Sequence, residues 1–209
     1  MAYPVSITVE PALTSRNRLT TAFRVILAIP HIILVGGLGI GLASRSNGAT
    51  TFGGEGGILG AVAVILAIVS WFTIVFGATH IPGIRQFTSF YMRWRVRALA
   101  YLMLLEDAYP PFGDGTYPAM LTVADAALPR RRLSVAFRIF LAIPHMIVLT
   151  LVLFAWYFTT VCAWFSILFT GRYPRAFYDF GVGVLRWRMR FDAYLLLMVD
   201  EYPPFSLSD

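Results

Sequence analysis

Two blocks of this sequence occur twice at different spacings, which restricts the fold to one unit built twice, with an insertion in one copy. Residues 16–31 (RNRLTTAFRVILAIPH) match residues 130–145 (RRRLSVAFRIFLAIPH) at 11 of 16 positions, offset by 114. Residues 93–112 (RWRVRALAYLMLLEDAYPPF) match residues 186–205 (RWRMRFDAYLLLMVDEYPPF) at 13 of 20, offset by 93. The difference, 114 less 93 or 21 residues, lies in the first copy. Most of it is the Gly- and Ser-rich segment 44–57 (SRSNGATTFGGEGG), which reads as an extended loop. Repeat one is residues 1–115 and repeat two residues 116–209.

Each copy runs through the same parts. A period-two stretch (Val5, Ile7, Val9; Ala119, Leu121, Val123) predicts a short strand. A basic patch, two apolar spans, an Arg-Trp stretch and a Tyr-Pro-Pro-Phe ending follow. In copy one the spans are residues 25–42 and 58–77, uncharged for 18 and 20 residues. As helices they reach about 27 and 30 Å, against a hydrocarbon core of about 30 Å. Copy two has one uncharged run of 33 residues, 139–171. Because Arg138 can snorkel, a first helix from near Ser134 leaves room for two helices of about 17 residues and a tight turn.

Charge placement argues for that hairpin. Of the 17 basic residues, all Arg, only Arg45 lies between paired spans. The positive-inside rule then puts both ends of both hairpins in the cytoplasm, whereas one crossing in copy two would export Arg186, Arg188 and Arg190. The expected fold is an all-α membrane protein. It has four transmembrane helices as two tandem hairpins, pseudo-two-fold symmetry about the membrane normal, interfacial amphipathic helices and short cytoplasmic strands.

Composition supports a multi-pass protein of the cell membrane with both termini cytoplasmic. Hydrophobic residues make up 58% and charged residues 13%, against roughly 25% charged in soluble domains. The net charge of +6 suggests anionic lipid as a partner, and no nucleic-acid motif accompanies the Arg. Cys162, the one cysteine, lies in an apolar run and reads as a packed thiol. The N-terminus lacks the basic and apolar regions of a signal peptide, so insertion is expected to depend on internal segments.

Two motifs could carry chemistry. His31 and His145 each follow a Pro and sit seven residues past an Arg, about 10 Å along a helix. Each imidazole is expected to bond a carbonyl freed by the Pro or a neighbouring helix; the rival is a shared haem or metal site. Arg93, Trp94, Arg95 and Arg97, with Arg186, Trp187, Arg188 and Arg190, read as interfacial segments gripping lipid headgroups. The Tyr-Pro-Pro-Phe motifs read as rigid turns, and Gly37 and Gly41 as a close-packing step absent from copy two. No Ser-His-Asp set, phosphate loop or carboxylate pair marks an enzyme.

Leu168-Phe169-Thr170-Gly171, the cluster starting at Arg186 and the Tyr202-Pro203-Pro204-Phe205 ending resemble a bacterial family of small membrane proteins, domain of unknown function 4389. Copy one carries Val75-Phe76-Gly77, the cluster at Arg93 and Tyr109-Pro110-Pro111-Phe112. The resemblance implies a membrane location and transfers no catalytic residue. Many members look like one copy, which implies that a natural pairing is here built into one chain. The expected role is a non-catalytic accessory or scaffolding subunit of a membrane complex, with no cofactor or metal. The alternatives are a haem- or metal-binding electron-transfer subunit and a small lipid-handling or transport protein.

Overall fold

The computed structural model describes residues 3–38, 44–46, 49–51, 56–77, 79–125 and 130–208. The two alternating stretches are strands, β1 (Val5–Val9) and β4 (Ala119–Val123). They pair antiparallel with Ile7 opposite Leu121, so the two copies meet in one ribbon. Val5, Ile7, Ala119 and Leu121 face inward, while Ser6, Thr8, Met120 and Thr122 face out.

Short helices follow, α1 (Arg18–Ala22) in copy one and α5 (Arg132–Ala136) in copy two. Asn17 starts α1 by accepting the Thr20 N–H at 3.1 Å, satisfying a donor that the first turn leaves orphaned. Copy one continues with α2 (Arg24–Val35), the small antiparallel pair β2 (Ser44–Ser46) and β3 (Ala49–Thr51), α3 (Gly57–Gly77) and α4 (Pro82–Leu102). Copy two continues with α6 (Arg138–Thr170) and α7 (Arg175–Leu195). Gly171 ends α6 with φ 70°, a left-handed conformation suited to glycine. The molecule is thus mostly helical, and α3 and α6 are long and apolar enough to cross a membrane by length and composition.

The hairpin expected in copy two is corrected. α6 runs unbroken through 33 residues, about 50 Å. Nothing between His145 and Thr170 is Gly, Pro, Asn or Asp, so the run carries no turn former. Copy one holds the same rod in two pieces, because α2 has 12 residues and α3 has 21. The pieces run end to end. The Trp71 indole at the far end of α3 donates to the Val135 carbonyl in α5, where α6 begins, at 3.0 Å. The Trp164 indole near the far end of α6 donates to the Thr21 carbonyl, where α2 begins, at 2.9 Å. With the ends of α6 about 50 Å apart, the start of α2 and the end of α3 are far apart too. The rods are therefore antiparallel, and α2 with α3 is not a hairpin.

Both copies share one core. The C-terminal halves of α4 and α7 are its centre, packed on each other, on the ribbon, and on the rods. A Cβ at Gly181 in α7 would lie 2.7 Å from Trp156 Nε1 and 3.1 Å from Leu105 Cδ2, so glycine lets α7 seat closely against α6. The rods bury a single stripe. In α6 it comprises Arg138, Ala142, His145, Leu149, Leu153, Trp156, Thr160, Ala163 and Ile167, spaced at three and four residues as helix geometry requires. The rest of the rod is half-buried or exposed and largely apolar, with Leu151, Phe154, Phe158 and Phe169 each more than 60% accessible.

Candidate functional site

The motifs of each copy converge on its histidine. Trp94 Nε1 donates to His31 Nδ1 at 3.0 Å, and Trp187 Nε1 donates to His145 Nδ1 at 3.1 Å. An accepting Nδ1 puts the ring proton of the neutral imidazole on Nε2. Phe112 stacks on His31 with centroids 4.6 Å apart, and Phe205 stacks on His145 at 3.8 Å. Tyr109 and Tyr202 pack tilted against the same imidazoles at 5.0 and 4.8 Å, beside the phenylalanines. The Tyr-Pro-Pro-Phe turns thus deliver two rings each to an imidazole held by the Arg-Trp helix. Of the two expected partners, a freed carbonyl and a neighbouring helix, the neighbouring helix supplies the bond, through an indole donor. The structure does not bring His31 and His145 together; each lies among its own repeat's aromatics. Among the described residues no group of three or more His, Cys, Asp or Glu could hold a metal ion.

Beside each cluster sits an arginine clamp built from the basic patch of its repeat. Arg24 donates to the Glu106 carbonyl at 2.9 Å and to Asp107 at 2.6 Å, with its guanidinium over the Tyr101 ring. Arg138 does the same with the Tyr194 carbonyl at 2.7 Å, Asp200 at 3.2 Å and the Tyr194 ring. Arg16 binds Asp107 at 2.9 Å and the Leu104 carbonyl; Arg130 binds Asp200 at 2.7 Å and the Leu197 carbonyl. Leu104 and Leu197 hold φ near 60°, a conformation costing a branched residue about 1–2 kcal/mol, so each clamp fixes a strained turn. Burial would raise the Asp200 carboxyl, but the Arg130 and Arg138 guanidiniums hold it below the usual carboxylate range. Glu106 takes the opposite course. Buried beside Glu10 and Asp107 against the opposing pull of Arg16, it is pushed up to about 7, and its Oε1 has no hydrogen-bond partner among the described residues.

The Arg-Trp clusters are also corrected in place. Arg95, Arg97, Arg188, Arg190, Trp94 and Trp187 are buried, so their outward, headgroup-facing position is not what the fold holds. A guanidinium whose hydrogens are taken by protein oxygens can sit inside a fold. Arg95 and Arg188 converge from the two copies on one carboxylate, Asp192, at 3.2 and 3.0 Å. They also donate to the carbonyls of Val35, Gly37 and Leu38, at the junction of α2 with the insertion. Arg97 reaches the Gly113 carbonyl at 2.8 Å and Arg190 the Ser208 carbonyl at 2.7 Å. Arg93 pairs with Asp114 at 2.9 Å near the surface, and Arg186 donates to the Ile7 carbonyl at 3.3 Å. Asp192 escaped sequence reasoning, although its departure from Leu99 at the equivalent position was a visible signal.

A groove of about 430 Å³ opens between α2, the end of α4 and α6, bordered by Val25, Tyr157, Val161, Trp164 and Phe165. A family model described as Domain of unknown function (DUF4389) matches the chain over residues 55–113 and 132–206, more than half its length. No curated protein and no solved structure matches it.

Proposed function

Since the chain belongs to this family, DUF4389, we propose a role from its chemistry: a membrane-embedded, non-catalytic scaffold, the accessory subunit of a larger membrane assembly. Its place is the cell membrane, with both termini on the cytoplasmic side, where an Arg-rich surface is favoured. The observation that carries the reading is the inversion of the surface. Ile139, Phe140, Leu151, Phe154, Phe158 and Phe169 point outward along α6, while Arg24, Arg95, Arg138 and Arg188 turn inward onto Asp107, Asp192 and Asp200, and His31 and His145 onto Trp94 and Trp187. An apolar surface of that extent needs lipid or protein against it. Asp107, Asp192 and Asp200 are spent on arginines, and His31 and His145 each spend Nδ1 on an indole.

The test is membrane fractionation followed by purification in mild detergent. The protein should stay in the membrane pellet through alkaline carbonate and co-elute with partner subunits at fixed stoichiometry. Phe154→Ala with Phe158→Ala should loosen that association while the helical circular dichroism is kept. Recovery in the soluble fraction would overturn the membrane reading, and transport by the isolated protein in liposomes would overturn the scaffold reading. The 430 Å³ groove favours a second reading, lipid handling, which predicts a bound lipid that survives purification and is lost on Val161→Trp.

A further inference from the structure

We infer that the two rods, α2 with α3 and α6, lie along the membrane within one leaflet instead of crossing it. The inference rests on the membrane reading above and adds the occupant of the apolar face: the acyl chains of a single leaflet, rimmed by anionic headgroups.

Length is the first argument. α6 has 33 residues, about 50 Å, and exposes apolar side chains from Ile139 to Phe169, nearly end to end. Fitting that length into a core of about 30 Å takes a tilt above about 50°, beyond the 0–40° that crossing helices adopt.

The insertion supplies a second argument. It leaves the copy-one rod after the 12 residues of α2, about 18 Å from one end. An upright rod centred in the bilayer would put both described ends of this insertion, Leu38 and Gly56, at the depth of the hydrocarbon. The cluster of Arg95, Arg188 and Asp192 bonds the carbonyls of Val35, Gly37 and Leu38 at the same level. Crossing would place it at mid-bilayer depth as well, where ionised side chains are rare.

Charge at the rod ends is the third. Arg18, Arg172 and Arg175 are exposed at one end and Arg131 and Arg132 at the other. A crossing rod would divide them between the two faces of the membrane, against the positive-inside bias. A lying rod lets all five reach one plane of anionic headgroups. The ribbon packs on α4 and α7 and turns Ser6, Thr8 and Thr122 outward with Met120, giving the face opposite the bilayer a mostly polar cover. The axis relating the two repeats then stands along the membrane normal.

Sidedness decides the matter. In a Cys162→Ser background, single cysteines at Thr8, Arg132 and Arg175 are labelled by an impermeant maleimide in right-side-out and in inverted vesicles. Lying rods predict that all three react in one orientation and lose labelling in the other. Crossing rods predict that Arg132→Cys and Arg175→Cys react from opposite sides, which overturns the inference while leaving the protein in the membrane pellet. Oriented circular dichroism of the unaltered protein in bilayers containing phosphatidylglycerol gives an independent reading. The in-plane helix signature supports the proposal, and the along-normal signature overturns it.

Discussion

At the residue scale, the indole–imidazole bond sets what can stand in for either histidine. His31→Leu leaves the Trp94 N–H buried without an acceptor, and the variant should lose about 1–3 kcal/mol. His31→Asn keeps an oxygen near the Nδ1 position and should lose less. Adding Trp94→Phe to His31→Leu should recover part of the loss, a coupling read from a double-mutant cycle on thermal unfolding in detergent; simple additivity would show that the bond adds nothing. Glu106 gives a pH dependence. Its carboxyl ordinarily titrates near 4.5 and in the fold near 7. Below 4.5 it is protonated whether folded or unfolded and costs nothing. Between 4.5 and 7 the unfolded chain releases the proton first, so the folded state loses stability as pH rises, and above 7 the loss is complete. Glu106→Gln should therefore gain on the parent through that window, by roughly 1–3 kcal/mol at pH 8. Near pH 4 the two should match; a gain that does not vary with pH would assign the effect to packing. The importance of the histidines was legible from the recurrence of Pro-His alone. Their partners were not, since a donor 63 residues downstream of His31 leaves no mark on local spacing.

Among the elements, the strands were legible because alternation has one structural meaning when one face is covered and the other is open. The rods were harder. An uncharged run specifies burial or lipid and is silent on whether the helix turns back. The arginines after α6 were counted as loop charges, although Arg188 and Arg190 lie inside the protein, where they carry no topological information. Helix lengths give the better signal: the 12 residues of α2 and 21 of α3 match the 33 of α6, and the 21-residue offset difference equals the insertion. Deleting residues 36–56 should consequently join α2 to α3 as one continuous rod. The shortened protein should stay folded, with a higher helical fraction by circular dichroism and a lower melting point than the parent, because Arg95 and Arg188 lose the Gly37 and Leu38 carbonyls. Collapse into aggregate would mean that the insertion is needed to assemble the rod.

For the whole molecule, the contact of Arg95 and Arg188 with Asp192 joins the two repeats by charge as the ribbon joins them by backbone. Asp192→Leu places the residue found at position 99 in the other copy and removes the carboxylate that two buried guanidiniums share. The cost should be about 3–5 kcal/mol by chemical denaturation. Changing Arg95 and Arg188 to Met in the same chain should restore most of it, because no charge then remains buried; a loss below about 1 kcal/mol for Asp192→Leu would remove the carboxylate from the account. One acid shared by two bases has a further meaning. Two identical chains paired about a symmetry axis must present the same residue twice, so they can offer two leucines here or two aspartates, and never one of each. A fused pair is free of that parity. Once joined, the copies can drift into complementary halves, and a mutation good on one side alone becomes available to selection.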